Sequence, residues 1–133
     1  MNVETVFEFI KNKRGYDFPS VYKIITGRPL LKDDLVIKDD LDISFSDITS
    51  LPDNLTIKGD LNIIGCEFES LPDNLTVKEY LFIENTKIDS IPKNLIVSGG
   101  FFVKNTPLSA KYSKDMIKKM VEDRGGKIYG GVY

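Results

Sequence analysis

A twenty-residue internal repeat dominates the chain. Residues 50–55 read SLPDNL, residues 70–75 repeat the same six letters, and residues 90–95 read SIPKNL. The same register extends backward to a divergent copy that begins at Leu31, so four copies cover residues 31–110. A single copy of this length cannot bury its apolar face alone. The repeat therefore predicts a solenoid, in which successive copies stack and share one continuous core.

Six positions in every copy stay apolar. The second and third positions are two residues apart, as are the fourth and fifth, and this is the period of a β-strand. We therefore predict one or two short strands in each copy, with a bend at Pro52, Pro72 and Pro92, where proline fixes φ and removes a hydrogen-bond donor. The six columns are Leu31/Leu51/Leu71/Ile91, Leu35/Leu55/Leu75/Leu95, Ile37/Ile57/Val77/Val97, Leu41/Leu61/Leu81/Phe101, Ile43/Ile63/Ile83/Val103 and Ile48/Phe68/Ile88/Leu108.

Both flanks of the repeats are predicted to be helical caps, which gives a single domain. Residues 1–30 form the first cap and residues 111–133 the second cap with a tail. Ser113 is expected to cap the C-terminal helix, Gly125 and Gly126 to end it, and residues 127–133 to form either a last strand or a loose tail. Helical spacing relates two sets of apolar residues at the front, namely Val3/Val6/Phe7/Ile10 and Phe18/Val21/Tyr22/Ile24/Ile25, and one set at the back, Met116/Ile117/Met120/Val121.

Composition excludes most familiar side-chain chemistry. The chain has no histidine and one cysteine, so a Ser-His-Asp triad, a Cys-His pair, the usual zinc sites and an internal disulfide are ruled out. The net charge of −2 differs from the basic footprint of nucleic-acid binders. No apolar run is long enough to span a membrane. We therefore expect a cytoplasmic protein with no cofactor and no enzymatic activity, and Cys66 is predicted to be a small core residue.

The repeats resemble those of leucine-rich repeat proteins of the bacterial twenty-residue type, in which LPxxL is followed by LxVxxNxLxxLP. Leu61, Ile63, Phe68 and the pair Leu71-Pro72 match this pattern, and the form LPDNLTV is similar to repeats of many phage and prophage proteins. Two departures stand out. The usual asparagine is replaced by Ser46, Cys66, Thr86 and Thr106, and the longer spacing from Leu55 to Leu61 predicts a second short strand in place of a helix.

The resemblance implies a parallel-stranded, mostly β horseshoe whose concave face binds another protein. On each concave strand the residues between the apolar columns should point outward. The third and fourth copies offer Tyr80, Phe82 and Phe102 there, and exposed aromatic residues are enriched at interface hot spots. Two alternatives stay open: residues 129–133 fold back over these rings as a cap, or the rings only steady the sheet by cross-strand pairing. The predicted partner-binding residues are Tyr80, Phe82, Phe102, Ile64, Glu84 and Lys104.

The sequence thus favours a small protein-protein binding module. The phage-like repeats suggest an inhibitor of a bacterial host protein, such as a defence or nucleic-acid-processing enzyme. One alternative is an assembly protein that makes homo-oligomers through the solenoid ends or residues 127–133. Another is an enzyme or hard-cation site that uses Asp40, Asp42 and Asp60. The rows Lys38/Lys58/Lys78 and Asp33/Asp53/Asp73 are interpreted as solvated faces or as charged docking strips.

Overall fold

The computed structural model describes residues 18–27 and 30–133, which form a parallel-strand β-solenoid with a few short helices. Each repeat contributes two strands of two residues, as the period-two spacing predicts. In chain order the strands are β1 (Val36–Ile37), β2 (Leu41–Asp42), β3 (Thr56–Ile57), β4 (Leu61–Asn62), β5 (Thr76–Val77), β6 (Leu81–Phe82), β7 (Ile96–Val97), β8 (Phe101–Phe102) and β9 (Lys127–Ile128). The helices are α1 (Phe18–Thr26), α2 (Pro107–Lys111) and α3 (Lys114–Asp123), and a 3₁₀ turn spans Lys32–Leu35.

Two parallel sheets run along the solenoid. The first strands of the repeats pair in the order β1-β3-β5-β7-β9, and the second strands pair in the order β2-β4-β6-β8. In the second sheet Leu41 pairs with Leu61, Leu61 with Leu81 and Leu81 with Phe101, so the structural register follows the sequence repeat. The second short strand predicted from the Leu55 to Leu61 spacing is therefore confirmed.

The core consists of the predicted apolar columns, with one exception. Leu55, Leu61 and Ile63 are fully buried, as are most of their counterparts in the later copies. Leu31 is 70% exposed, so its assignment to the first core column is wrong. The reason is local, because the Leu31 N–H donates to the carboxylate of Asp34 at 2.8 Å and the chain enters a 3₁₀ turn that the other repeats lack.

A row of small polar side chains, one from each repeat, is buried and bonded to backbone. The Thr86 hydroxyl donates to the Ile83 carbonyl at 2.7 Å, and the Cys66 thiol donates to the Ile43 carbonyl at 3.0 Å. Cys66 is 1% exposed, which confirms its prediction as a small core residue. The whole row, Ser46, Cys66, Thr86 and Thr106, lies in the interior.

The turns carry a second ladder that the sequence reading did not anticipate. Asn74 donates its side-chain amide to Asn54 and accepts one from Asn94, each at 2.7 Å. These three asparagines have positive φ, which asparagine tolerates better than most residues. Beside them, Asp53 accepts the N–H of Asp73 at 2.9 Å. Asp73 likewise accepts the N–H of Lys93 at 3.0 Å. Two members of the aspartate row, predicted as a solvated face or docking strip, thus bond one coil to the next.

The C-terminal flank follows the predicted helix and then adds a strand. Ser113 accepts the Met116 N–H at 3.2 Å as the N-cap of α3, and Gly125 follows the helix at φ +85°. Strand β9 pairs with β7, so residues 127 and 128 form the strand rather than a loose tail. Helix α2 was not predicted.

At the N-terminal flank, the helix predicted from the spacing of apolar residues after Phe18 is confirmed by α1. The helix predicted from Val3 to Ile10 lies outside the described residues.

No helix within residues 18–27 and 30–133 is long and apolar enough to cross a membrane.

Candidate functional site

The outer face of the four-stranded sheet carries the predicted aromatic residues. Leu81 and Ile83 are fully buried, whereas Phe82 between them is half-buried. Phe102 alternates in the same way with its buried neighbours Phe101 and Val103. Successive side chains of a strand point to opposite faces, so the rings of Phe82 and Phe102 point away from the core. The predicted facing of these strands is confirmed.

Four rings contact one another on this face, and we call Tyr80, Phe82, Phe102 and Tyr133 the aromatic cluster. Phe82 and Phe102 stack with centroids 4.7 Å apart and planes 22° apart, and Phe102 stacks on Tyr133 at 4.9 Å. The centroid of the Tyr80 ring lies 6.3 Å from that of Phe82 and 6.1 Å from that of Phe102, which Tyr80 meets edge-on. Stacked rings turn their edges to solvent, so the cluster presents a continuous apolar ridge.

Tyr133 reaches the cluster because the end of the described chain extends the sheet. The Phe101 N–H donates to the Gly131 carbonyl at 2.9 Å, and the Val103 N–H donates to the Tyr133 carbonyl at 2.8 Å. Gly100 leaves room for the ring, since a Cβ there would lie 2.9 Å from a Tyr133 ring carbon. Residues 131–133 thus form an additional rung beside β8.

This geometry addresses the two alternatives for the rings. The tail returns to the rings, as the first alternative expected, because Tyr133 stacks on Phe102. It does not close the cluster off, since Tyr80 and Tyr133 remain 48% and 54% exposed. Tyr129 is 63% exposed, and the ammonium of Lys127 lies over its ring at 5.0 Å. Cross-strand pairing is present between Phe82 and Phe102, and it coexists with an exposed surface. The backbone of the tail is paired within its own chain.

The other predicted residues occupy the next outward column of the same sheet. The carbonyls of Ile64, Glu84 and Lys104 accept the N–H groups of residues 45, 65 and 85 in turn, which places the three side chains in register. Ile64 and Glu84 are half-buried and Lys104 is exposed. The structure therefore puts all six predicted residues on one face, although the ring contacts join only Tyr80, Phe82 and Phe102.

Three carboxylates border the aromatic cluster, and we call Asp40, Asp60 and Glu79 the acidic corner. One oxygen of each lies within 4.8 Å of the others. Asp40 accepts the Asp60 N–H at 2.7 Å, and Asp60 accepts the Tyr80 N–H at 2.9 Å. The cation hypothesis had grouped Asp42 with Asp40 and Asp60. The Asp42 carboxylate instead accepts two hydrogen bonds from Ser44. Glu79 is the third member of the acidic corner.

Phe45 is a further exposed aromatic residue that the sequence reading missed. It is 69% exposed and has φ +55°, a conformation that bulky side chains rarely adopt. Its ring lies against Gly65, where an added Cβ would collide with a ring carbon of Phe45. The positive φ of Phe45 could have been predicted from the repeat. The equivalent positions hold Gly65, Asn85 and Asn105, which are residue types that favour positive φ.

Comparison of the chain with protein-family models, with curated protein sequences and with solved structures gave no match. The site itself offers ring edges, two phenol groups and a group of carboxylates at one side. These are groups that make contacts and hydrogen bonds with a bound surface.

Proposed function

We propose that the chain is a non-enzymatic protein-binding module whose contact surface is the aromatic cluster. The observation that carries the proposal is the outward-facing stack of half-buried Phe82 and Phe102 on exposed Tyr133, with exposed Tyr80 at its side. Aromatic residues, tryptophan and tyrosine above all, concentrate binding energy in protein interfaces because they bury a large area with few rotatable bonds. A stack held by a parallel sheet is also pre-organised, which lowers the entropic cost of binding.

The resemblance of the repeats to bacterial and phage leucine-rich repeats supports a target inside a bacterial cell. In this proposal the chain acts in the cytoplasm, where it occupies a surface of a host protein and inhibits or redirects it. A defence enzyme or a nucleic-acid-processing enzyme fits such a role. This step rests on the LPDNLTV form of the repeats and on analogy with proteins that carry it.

The size of the face limits the kind of contact. The backbone hydrogen bonds between coils extend beyond the two-residue strands, from residue 41 to residue 45 in the first coil. Five rungs of about this length at about 4.8 Å give a surface of roughly 400 Å². A standard interface takes about 800 Å² from each partner. A tight complex therefore needs further groups as well, and the acidic corner and the exposed ring of Phe45 are available to supply them.

An affinity pull-down from bacterial lysate tests the proposal. Wild-type protein is compared with a variant in which Tyr80, Phe82 and Phe102 are all changed to serine, and retained proteins are identified by mass spectrometry. We expect at least one protein to be retained by the wild type and lost by the variant. Circular dichroism establishes beforehand that the variant is folded.

A matched control comes from the opposite sheet. Ile96 is a half-buried residue of β7, and Ile96→Ser removes a similar apolar group from another face. The control should retain the same protein as the wild type. Equal retention by the triple variant would contradict the aromatic cluster as the binding surface, and loss of retention with Ile96→Ser would indicate a nonspecific effect on folding.

A further inference from the structure

Tyr80 contacts both the aromatic cluster and the acidic corner. Its ring belongs to the aromatic cluster, 6.1 Å from Phe102, while its backbone N–H donates to the carboxylate of Asp60 at 2.9 Å. Asp60 in turn belongs to the acidic corner with Asp40 and Glu79. An apolar ridge and a group of negative charges therefore meet at one exposed residue.

The acidic corner lacks a cation within the described part of the chain. The described ion pairs join Lys23 to Asp34 and Lys87 to Glu67, and neither involves the three carboxylates. Asp40 and Asp60 each accept one backbone N–H through Oδ1, which leaves their second carboxylate oxygens available to a bound group. Like charges this close repel one another, so a positive group bound beside them is favoured electrostatically.

We propose that the face binds an extended protein segment in which a basic side chain contacts the acidic corner and an apolar side chain packs on the ring edges. This inference rests on the proposed binding function and adds the chemistry of the partner. Arginine suits the corner better than lysine, because its planar guanidinium can bond two carboxylates while it stacks against the Tyr80 ring.

The spacing of the two contacts sets the pattern in the segment. In this proposal the guanidinium stacks on Tyr80 and the apolar side chain packs on Phe102, and the centroids of these two rings are 6.1 Å apart. In an extended chain, side chains at positions i and i+2 point the same way about 7 Å apart. The segment therefore carries a basic residue two positions from an apolar residue. A face of roughly 400 Å² accommodates a segment of this size more readily than a globular surface.

Peptide selection tests the inference. Immobilised protein is screened against a random-peptide phage display library, and the most enriched sequence is synthesised with a fluorescent label. We expect enriched peptides to share a basic residue two positions from Leu, Phe, Trp or another large apolar residue. Fluorescence anisotropy of the labelled peptide then gives Kd for each variant.

The key variant changes charge and leaves the hydrogen bonds in place. Asp40→Asn and Asp60→Asn keep a side-chain oxygen for the backbone N–H groups that these residues accept, and Glu79→Gln removes the third charge. The combined variant should raise Kd about tenfold or more. Phe82→Ser should also raise it. The control Asp89→Asn removes one exposed negative charge outside the acidic corner and should leave Kd unchanged.

Each contrary outcome has a distinct meaning. If binding is lost with Phe82→Ser but unaffected by the charge variant, or if enriched peptides lack basic residues, the inference fails while the proposed function stands. If no peptide is enriched, the segment-sized partner is wrong, and the pull-down decides the proposed function separately. A concentration-dependent dimer in sedimentation that is lost with Phe82→Ser would identify the occupant as a second copy and overturn the inference.

Discussion

The ring of Tyr133 stacks on the ring of Phe102, with centroids 4.9 Å and planes 26° apart. Backbone pairing of residues 131–133 with Phe101 and Val103 holds this stack, so Tyr133 continues the outward column that begins at Asp42. The column changes character along the solenoid, from Asp42 and Asn62 to three rings.

Tyr133→Ser should weaken this end of the sheet. A stacked aromatic pair contributes about 0.5–1.5 kcal/mol beyond area burial, so we expect the free energy of unfolding to fall by about 1 kcal/mol. Urea denaturation followed by circular dichroism measures the change. Tyr129→Ser is the control, because Tyr129 is 63% exposed and has a cation rather than a ring against it. Equal losses in both variants would contradict a specific contribution from the stack.

Two adjacent residues of β6 should respond very differently to substitution. Leu81 is fully buried, so Leu81→Ala should lower the free energy of unfolding by about 2–5 kcal/mol. Phe82 is half-buried on the outer face, so Phe82→Ser should cost about 1 kcal/mol and mainly affect binding. Denaturant titration of both variants checks the order. Unfolding by Phe82→Ser alone would overturn the assignment of this face.

Phe45→Asn should stabilise the protein. Phe45 has φ +55°, and a left-handed conformation costs most L-residues about 1–2 kcal/mol, whereas asparagine visits it readily. Asn85 and Asn105 occupy the equivalent positions at φ 58°. We expect the unfolding free energy to rise by about 1 kcal/mol and Tm by about 3–5 °C in a thermal melt. Thr49→Asn, at an exposed position without positive φ, serves as the control for added polarity.

A fall in Tm for Phe45→Asn would mean that the contact of the Phe45 ring with Gly65 outweighs the backbone cost. A decrease in peptide or protein binding by the same variant, at unchanged or higher Tm, would place Phe45 in the binding surface.

Substitutions at Asn74 should separate the amide ladder from the backbone requirement. Asn74→Gly removes two amide hydrogen bonds but suits φ 58°, whereas Asn74→Ala removes the same bonds and strains the backbone. We expect wild type to be the most stable, the glycine variant intermediate, and the alanine variant lower by about 1 kcal/mol more. Asn85→Gly, with positive φ and no amide ladder, should be close to neutral. Equal stability of all variants would show that the ladder contributes nothing.

Much of the fold could be predicted because one period repeats. Columns such as Leu41, Leu61, Leu81 and Phe101 fixed both the buried side and the strand register, since every coil presents the same positions to the next. The assignment of Leu31 to the core was wrong because the first coil begins with a 3₁₀ turn held by Asp34. A divergent copy keeps the letters of the repeat without keeping its backbone path.

The site was predicted in part, for a related reason. Phe82 and Phe102 follow from the alternation along the strands. The return of Tyr133 was only one of two open alternatives, because residues 111–133 carry no repeat and their pairing with β8 is long-range. Glu79 joins the acidic corner through the bend between strands, where spacing in sequence gives no side-chain direction. The repetition of Asn54, Asn74 and Asn94 was visible in the sequence, whereas the positive φ of these residues became clear only from the structure.

Cys66 provides a probe of whether the coils open one by one or together. Its thiol is 1% exposed and donates to the Ile43 carbonyl of the preceding coil, so a thiol reagent can reach it only when neighbouring coils separate. We expect labelling by a chromogenic disulfide in native buffer to be slow and to accelerate with urea in parallel with global unfolding, because the core is continuous across the repeats. Ser90→Cys in a Cys66→Ser background, which places the thiol at an exposed turn, should be labelled at once. Rapid labelling of Cys66 without urea would contradict cooperative unfolding and show that the second coil opens locally, as repeat arrays with weak coupling between neighbours do.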